Sequence, residues 1–211
     1  MSKKIFVVGV GPGDKSYITP AALQKIQSAK FLAGGRRVLE DFATKEQETC
    51  PITVELHLAK KFISEKLLLD DVVVMVSGDP GYFSLLDFLR KNFPREQIEV
   101  IPSISAIQLA FAKLALSWYS ATLLSFHGRE PDADKLNFER GKILGMLTDA
   151  KFNSATISEI LVTHGWQEIS QLAICEKLSY PDEKITLTNL GDAIKSEPIK
   201  HCVLIVGEKI Y

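Results

Sequence analysis

The sequence predicts an α/β chain with a largely parallel sheet in its first half and a mixed sheet in its second half. Short β-branched runs alternate with helix-like segments, which is typical of α/β construction. The run 72–76, Val-Val-Val-Met-Val, is apolar at every position, as expected of a central parallel strand buried on both faces. In the second half, a Tyr-Pro-Asp-Glu turn at 180–183 separates two strand-like runs, which favours a hairpin and therefore antiparallel strands.

In the first half, three predicted strands are each followed by a predicted helix. Thr19 is expected to cap the first helix, because Pro20 then occupies its first turn, where a missing amide costs least. The predicted strands cover 5–10, 71–77 and 97–101, and the predicted helices cover 20–29, 82–91 and 105–116.

The second half is predicted to contain five strands and one helix. The strands are 121–126, 142–147, 171–175, 184–187 and 202–206, and the helix is 154–164. A length of 211 residues suits one large domain or two small ones. The segment 117–120, Ser-Trp-Tyr-Ser, is the best boundary and gives domains 1–116 and 121–211.

The composition excludes several classes of protein. With 25 Lys+Arg against 26 Asp+Glu, the net charge of −1 argues against a protein that coats nucleic acid, which needs clustered basic residues. Three widely spaced cysteines and four histidines without paired spacing predict neither a disulfide framework nor a metal site. No apolar run approaches the ~18 residues of a membrane span, and the first apolar run is too short for a signal peptide. We therefore expect a cytoplasmic protein.

Glycines follow the first predicted strand in the run Gly9-Val10-Gly11-Pro12-Gly13-Asp14. A dinucleotide fingerprint needs glycine where Asp14 stands, and Pro12 removes an amide that could face a pyrophosphate. The acidic residue expected about twenty positions later is also missing, so a dinucleotide-dependent oxidoreductase is the weaker alternative. A plain tight turn and a ligand-approaching loop both remain open for this segment.

Three further motifs follow predicted strands. Asp79 in Gly78-Asp79-Pro80-Gly81 is either the cap of the next helix or a carboxylate that faces a ligand. The serines of 102–106, Pro-Ser-Ile-Ser-Ala, cap a helix or leave its amides to a ligand. The turn His127-Gly128-Arg129 is either structural or in contact with an anionic ligand. Because no nucleophile–base set or metal spacing accompanies them, we expect a cofactor to carry the reactive group.

Six segments resemble the tetrapyrrole (corrin/porphyrin) methylase family, which uses S-adenosylmethionine, and they occur in the same order along the chain as in that family. They are GVGPGDKSYIT (9–19), VVVMVSGDPGY (72–82), IPSISAIQLAFAKLAL (101–116), SFHGRE (125–130), MLTDAKFNSATISEIL (146–161) and ICEKLSYPDEKI (174–185). The later segments fit the branch that methylates carbon 5 of cobalt-precorrin-7 in cobalamin biosynthesis. Another methylase of that pathway and a non-enzymatic corrinoid carrier are alternatives. A relative acting on diphthine or RNA fits the segment 180–183 less well.

The resemblance implies two α/β domains with the methyl donor in the cleft between them. It assigns donor binding to Gly78, Asp79, Pro80, Gly81, Ser103, Ile104, Ser105, Ala106, His127, Gly128, Leu147, Thr148, Glu176, Lys177 and Leu178. The loop with Gly11, Pro12 and Gly13 would face the substrate. Arg36, Arg37 and Arg129 are candidates for its carboxylates. Asp14 and His127 are candidates for assisting proton removal.

The sequence departs from the family pattern at two positions. The usual Tyr-Gly after the Gly-Asp-Pro loop is Tyr82-Phe83, and the second serine of a usual Ser-Ser pair is Ala106. The length accommodates the carbon-5 methylase and leaves no room for the decarboxylating carbon-15 module of two-module relatives. The resemblance therefore implies a separate carbon-15 partner enzyme, and also a homodimer.

Overall fold

A computed structural model describes residues 3–211 of the chain. Contacts between residues divide the chain into two compact units, one ending at Ser105 and the other beginning at Ala106. Each unit contains one five-stranded sheet.

The first unit is a wholly parallel sheet with helices between its strands. The strands are β1 (Ile5–Gly9), β2 (Phe31–Gly34), β3 (Glu48–Pro51), β4 (Val72–Val76) and β5 (Ile98–Ile101). The helices are α1 (Pro20–Ser28), α2 (Arg36–Phe42), α3 (Leu56–Lys66) and α4 (Leu86–Asn92), with short 3₁₀ turns at Lys15–Tyr17 and Arg95–Gln97. The strand order is β3-β2-β4-β1-β5, and each neighbouring pair is parallel.

Alternating side chains of these strands are buried on opposite faces of the sheet. Val8 of β1 packs in one apolar cluster with Ile26 of α1 and residues of α2. Val7 of β1 packs in a second cluster with Ile63 of α3 and Leu89 of α4. The helices that follow the adjacent strands β1 and β4, α1 and α4, therefore pack on opposite faces of the sheet. In open α/β sheets such a reversal creates a crevice at the carboxyl ends of the two strands.

The second unit is a mixed sheet. Its elements are α5 (Ala106–Lys113), β6 (Thr122–Ser125), α6 (Ala133–Leu136), β7 (Leu144–Leu147), α7 (Ser154–Thr163), β8 (Gln171–Glu176), β9 (Lys184–Asn189), α8 (Leu190–Lys195) and β10 (Val203–Gly207). The order is β6-β7-β10-β8-β9, with β6 and β7 parallel and the other pairs antiparallel. Its core includes Trp166, whose indole Nε1 donates to the Leu136 carbonyl at 2.8 Å, so the buried donor is satisfied.

The predicted fold class is confirmed, and the predicted strands and hairpin are present with small differences at their ends. Thr19 caps α1, because its hydroxyl accepts a hydrogen bond from the Ala22 amide. The helix predicted from residue 82 instead begins at Leu86, since Phe83 has a φ of +47°, which no helix continues. The helix predicted to reach residue 116 ends at Lys113. Ala115 has a φ of +53° there, and the Leu116 amide bonds back to the Phe111 carbonyl.

The boundary between the two contact units lies about a dozen residues before the predicted linker at 117–120. The reason is the packing of α5, which contacts β7 and β10 of the second sheet. Phe111 of α5 lies so close to Gly145 of β7 that a Cβ there would be 2.8 Å from its ring. The sequence also did not indicate β2, β3, α2, α3, α6 or α8.

Candidate functional site

The predicted site residues of the first unit lie along one edge of its sheet. Because all five strands are parallel, their carboxyl ends share that edge. Gly9 to Asp14 follow β1, Arg36 and Arg37 follow β2, and the 78–81 loop follows β4. Ser103, Ile104 and Ser105 follow β5, and the next predicted residue, Ala106, begins α5 and the second unit. We call this edge the glycine edge.

The glycine edge is closely packed around Gly9. A Cβ at that position would lie 2.7 Å from the Gly78 carbonyl oxygen, 2.7 Å from Ser103 Cβ and 2.8 Å from Pro80 Cδ. Next to it, the Gly78 amide donates to the Gly11 carbonyl at 2.7 Å, and the Gly11 amide donates to the Gly78 carbonyl at 3.4 Å. Both of these glycines have positive φ, +85° and +70°. Glycine at these positions lets the ends of β1, β4 and β5 meet.

The Asp79 carboxylate joins two loops of the glycine edge. Its Oδ1 accepts from the Gly81 amide at 2.8 Å, and its Oδ2 accepts from the Ser103 amide at 2.9 Å. The next helix begins at Leu86, so the prediction that Asp79 caps it is wrong. Both carboxylate oxygens are engaged by backbone donors, and the side chain fixes the loop after β4 against the end of β5.

Three further charged residues of the glycine edge, Arg36, Arg37 and Asp14, differ in their partners. Arg37 donates from Nη2 to the Ser77 hydroxyl at 3.3 Å, at the end of β4, while Arg36 is exposed in the same helical turn. Asp14 accepts from the Ser16 amide at 2.7 Å and begins the 3₁₀ turn. Hydrogen bonds from the side chain and backbone of Ser16 lower the pKa of Asp14, which weakens it as a proton acceptor.

The predicted residues of the second unit also share an edge. Across neighbouring strands, Ser125 pairs with Leu147, Leu147 with Val203, and Val203 with Cys175. The carboxyl ends of β6, β7 and β8 and the start of β10 therefore lie side by side. His127, Gly128, Leu147, Thr148, Glu176, Lys177 and Leu178 belong to this row of chain ends. We call it the carboxylate edge.

Asp149 holds the carboxylate edge together. Its Oδ2 accepts from the Gly128 amide at 2.8 Å, and its Oδ1 accepts from the Lys151 and Phe152 amides at 2.8 and 2.7 Å. These backbone donors, that of Gly128 foremost, lower the pKa of Asp149, and the charge of His127 adds to the effect. The His127 amide donates to the Ser125 hydroxyl at 3.2 Å, and its side chain is exposed.

The hydroxyl of Thr148 is engaged in the fold. Its Oγ1 accepts from the Cys202 amide at 2.8 Å and donates to the Cys202 carbonyl at 3.0 Å. Thr148 is only 5% exposed, so these bonds replace water for a buried polar group. They tie the end of β7 to the start of β10.

Two non-glycine residues between β8 and β9 have left-handed backbone conformations. Lys177 has a φ of +47° and pairs with Asp182, and Ser179 has a φ of +75° and donates its amide to Glu183 at 2.7 Å. Between them, Leu178 is buried. Among residues 3–211, the other non-glycine residues with positive φ are Phe83, Ala115 and His201. Four of these five lie in loops at the two edges, and such strain tends to persist at functional sites.

One buried side-chain oxygen at each edge has no hydrogen-bond partner within the described residues: Ser103 Oγ and Glu176 Oε2. The nearest cation to the Glu176 oxygen, Lys184 Nζ, is 4.0 Å away, too far for a hydrogen bond. Buried polar groups are nearly always satisfied, so an unpaired oxygen at a loop edge indicates a ligand or water that supplies the missing bond. Among the same described residues, no three His, Cys, Asp or Glu side chains are grouped as metal ligands.

The comparison with known protein families agrees with this geometry. Residues 4–194 match the family described as Tetrapyrrole (Corrin/Porphyrin) Methylases. The chain belongs to this family. The family and the methyltransferase class predicted from the sequence are therefore confirmed.

Two relatives of this tetrapyrrole methylase are similar over most of their length. A protein of Methanocaldococcus jannaschii, described as a probable cobalt-precorrin-7 C(5)-methyltransferase, is 33% identical, covering 89% of this chain and 90% of that protein. A cobalt-precorrin-7 C(5)-methyltransferase of Salmonella typhimurium is 30% identical, covering 96% of this chain and 98% of its own.

A solved structure shows the same fold. Uroporphyrin-III C-methyl transferase from Thermus thermophilus, complexed with S-adenyl homocysteine, matches this tetrapyrrole methylase with a TM-score of 0.75 at 22% identity. The match covers 97% of this chain and 92% of that one. No helix within residues 3–211 has both the length and the apolar character needed to cross a membrane.

Three residues of the two edges were not predicted from the sequence: Asp149, Ser77 and His201. An aspartate shortly after a predicted strand is a known turn signal, which could have drawn attention to Asp149, two residues after the strand predicted at 142–147. No comparable signal marks Ser77, whose partner Arg37 is 40 residues away, or the left-handed backbone of His201.

Proposed function

We propose that this chain transfers a methyl group from S-adenosylmethionine to carbon 5 of cobalt-precorrin-7, in cobalamin biosynthesis. The observation that carries the proposal is the identity of 33% and 30% to two relatives described by that activity, over about nine tenths or more of each chain. The glycine edge and the carboxylate edge each supply loops suited to binding a polar methyl donor such as S-adenosylmethionine.

The residues at the two edges fit the methyl donor. When bound, its sulfonium supplies a methyl group that an electron-rich ring carbon can attack directly, so no protein nucleophile is required. Ser103 and Glu176 each have a buried oxygen that could accept a hydrogen bond from a hydroxyl or ammonium group of S-adenosylmethionine. The residues that we propose to contact the donor remain those assigned by the resemblance: Gly78 to Gly81, Ser103 to Ala106, His127, Gly128, Leu147, Thr148 and Glu176 to Leu178.

Positioning is the chief task of the protein in such a reaction. Alignment of two bound reactants can contribute about 7–11 kcal/mol to lowering a barrier in favourable cases. Asp79 fixes the loop after β4, and Asp149 fixes the loop after β6, each through backbone amides. Thr148 contributes through its backbone, because its hydroxyl is already bonded to Cys202.

Of the two residues proposed to assist proton removal, His127 is the better candidate. The hydrogen bonds that lower the pKa of Asp14 reduce its affinity for a proton. The side chain of His127 is exposed, and its backbone is held by the Ser125 hydroxyl. Arg36, Arg37 and Arg129 are exposed cations that we propose to pair with the acetate and propionate groups of the substrate. The loop of Gly11, Pro12 and Gly13 would lie on the substrate side.

Three further features belong to this proposal. We propose that the protein acts in the cytoplasm, that it forms a homodimer, and that a separate enzyme performs the decarboxylating methylation at carbon 15. Fractionation, sedimentation and assay with the carbon-15 enzyme would test them in turn.

The decisive assay incubates the protein with S-adenosylmethionine and cobalt-precorrin-7. We expect a single added methyl group by mass, located at carbon 5 by magnetic resonance. Methylation of a different precorrin, with cobalt-precorrin-7 left unchanged, would contradict the assignment of substrate while keeping the family.

Gly78→Leu tests the part played by the glycine edge. A Cβ at Gly78 would touch only Ser105 Cα, at 3.6 Å, so the strain of a side chain there comes from its φ of +70° and not from a close contact at the Cβ. We expect calorimetry to show S-adenosylmethionine affinity reduced by about tenfold or more. Gly141→Leu is the matched control, since Gly141 has a similar φ of +78° and open space, outside both edges. Equal donor affinity in the two variants would remove Gly78 from the donor site.

A further inference from the structure

Phe83 combines three features that folding alone does not explain. It has a φ of +47°, a left-handed conformation that disfavours bulky residues. Its side chain is 56% exposed although it is large and apolar. Its main aromatic contact is edge-on to Tyr82, with ring centroids 4.8 Å apart. The chain therefore keeps an aromatic ring in solvent on a strained backbone.

The strain is local to the glycine edge. Phe83 follows the Gly78–Gly81 turn, whose Asp79 is bonded to the Ser103 amide at the end of β5. Tyr82 is half-buried, and burial raises its pKa, so this neighbour anchors the loop while Phe83 extends from it. Strained residues persist where the surrounding structure and a functional requirement hold them.

From these observations we infer that Phe83 is a specificity-determining residue whose ring packs against the flat, conjugated face of the tetrapyrrole substrate. The inference rests on the proposed function, which supplies that substrate. An aromatic ring gains from stacking or edge-on contact with another π-system beyond the apolar area that it buries. Phe83 is not among the residues proposed above to contact the methyl donor, so we assign it to macrocycle binding and not to donor binding.

The test compares Phe83→Gly with Phe83→Tyr. Glycine removes the ring and accepts the left-handed backbone, whereas tyrosine keeps the ring. We expect Phe83→Gly to raise the dissociation constant for cobalt-precorrin-7, measured with S-adenosylhomocysteine bound, by about tenfold or more. We expect the affinity for S-adenosylhomocysteine itself to stay within about twofold, and Phe83→Tyr to bind the macrocycle like the wild type.

Thermal unfolding separates function from folding, and Ala115→Gly is the matched control. Ala115 has a φ of +53° at the end of α5, away from both edges. Both glycine variants should melt no lower than the wild type, because each relieves a left-handed backbone. Only Phe83→Gly should lose macrocycle affinity.

Each outcome decides between the possibilities. If the wild type fails to bind cobalt-precorrin-7, the proposed function fails independently of Phe83. If the wild type binds and Phe83→Gly binds equally well, the inference is overturned. It is also overturned if Phe83→Gly melts lower than the wild type, or changes oligomeric state at unchanged macrocycle affinity, since the ring then serves folding or a second copy of the chain.

Discussion

The glycine edge and the carboxylate edge both gather loops at strand ends, but by different physical means. At the glycine edge, the absence of a side chain at Gly9 lets the Gly78 carbonyl, Pro80 and Ser103 pack against it, and Gly11 and Gly78 bond to each other through their backbones. At the carboxylate edge, Asp149 and Thr148 bridge the chain ends with side-chain hydrogen bonds. The glycine edge depends on the lack of a side chain at Gly9, whereas the carboxylate edge depends on hydrogen bonds from the side chains of Asp149 and Thr148.

This difference predicts how each edge responds to mutation. A methyl group added at Gly9 meets atoms of two neighbouring loops that cannot move without displacing strand ends, because interiors are close-packed. At the carboxylate edge, removing a polar atom leaves its backbone partner unsatisfied, but the chain ends keep their ladder bonds. We therefore expect larger losses from additions at the first edge than from deletions at the second.

Gly9→Ala should have the largest effect on stability. Its methyl group would be under 3 Å from a carbonyl oxygen and from two side-chain carbons. Overpacking of this kind costs about 3 kcal/mol at its upper range, and we expect that loss in denaturant unfolding. Gly35→Ala is the control, because no atom lies within 4 Å of the added methyl group. If Gly9→Ala were as stable as that control, close backbone packing would not be what shapes the glycine edge.

Thr148→Val should have an intermediate effect. Valine keeps the shape but leaves the buried amide of Cys202 without its partner, while the Cys202 carbonyl keeps only its bond from the Thr148 amide at 3.2 Å. An unsatisfied buried group costs about 1–3 kcal/mol, so we expect a loss of about 2 kcal/mol in the free energy of unfolding. Thr148→Ser, which retains the hydroxyl, should recover most of it. A loss in Thr148→Val greater than that in Gly9→Ala would reverse the order of the two edges.

The difference between the two edges also explains which of their residues could be predicted from the sequence. The glycine edge could be predicted, because Gly9, Gly11 and the Gly78 turn follow β-branched runs and glycine in that place has few other uses. The parallel sheet, the α1 cap at Thr19 and the hairpin after β8 were also readable from local patterns. The family resemblance indicated most of the remaining site residues.

The rest depends on contacts that local patterns do not encode. The strand β2, Phe-Leu-Ala-Gly, contains no β-branched residue, and β3 is largely exposed, so neither carries the pattern that marks a buried strand. The assignment of α5 to the second unit depends on the fit of Phe111 against Gly145, residues far apart in sequence. The left-handed backbones of Phe83, Lys177 and Ser179 could not be predicted, since none is a residue that favours that conformation.

Asp149→Asn should have the smallest effect, confined to one loop. The amide group that replaces one carboxylate oxygen must face a backbone donor, so either the Gly128 bond or the turn at Lys151 and Phe152 is lost. We expect faster hydrogen exchange at the Gly128 amide and a slight fall in melting temperature. Asn153→Ala is the control, because it removes the cap of α7 nearby without touching Gly128.

The pH dependence of this difference follows from the direction of the pKa shift. The pKa of Asp149 in the folded protein lies below its ordinary value of 3.8. Its ionised form therefore stabilises the fold fully at pH values above that ordinary value, and this stabilisation is lost as the pH falls through the folded pKa. The gap in melting temperature between the wild type and Asp149→Asn should be constant near neutral pH and shrink in acid. A gap that widened in acid, or unchanged exchange at Gly128, would mean that the carboxylate edge is held by its strands and not by Asp149.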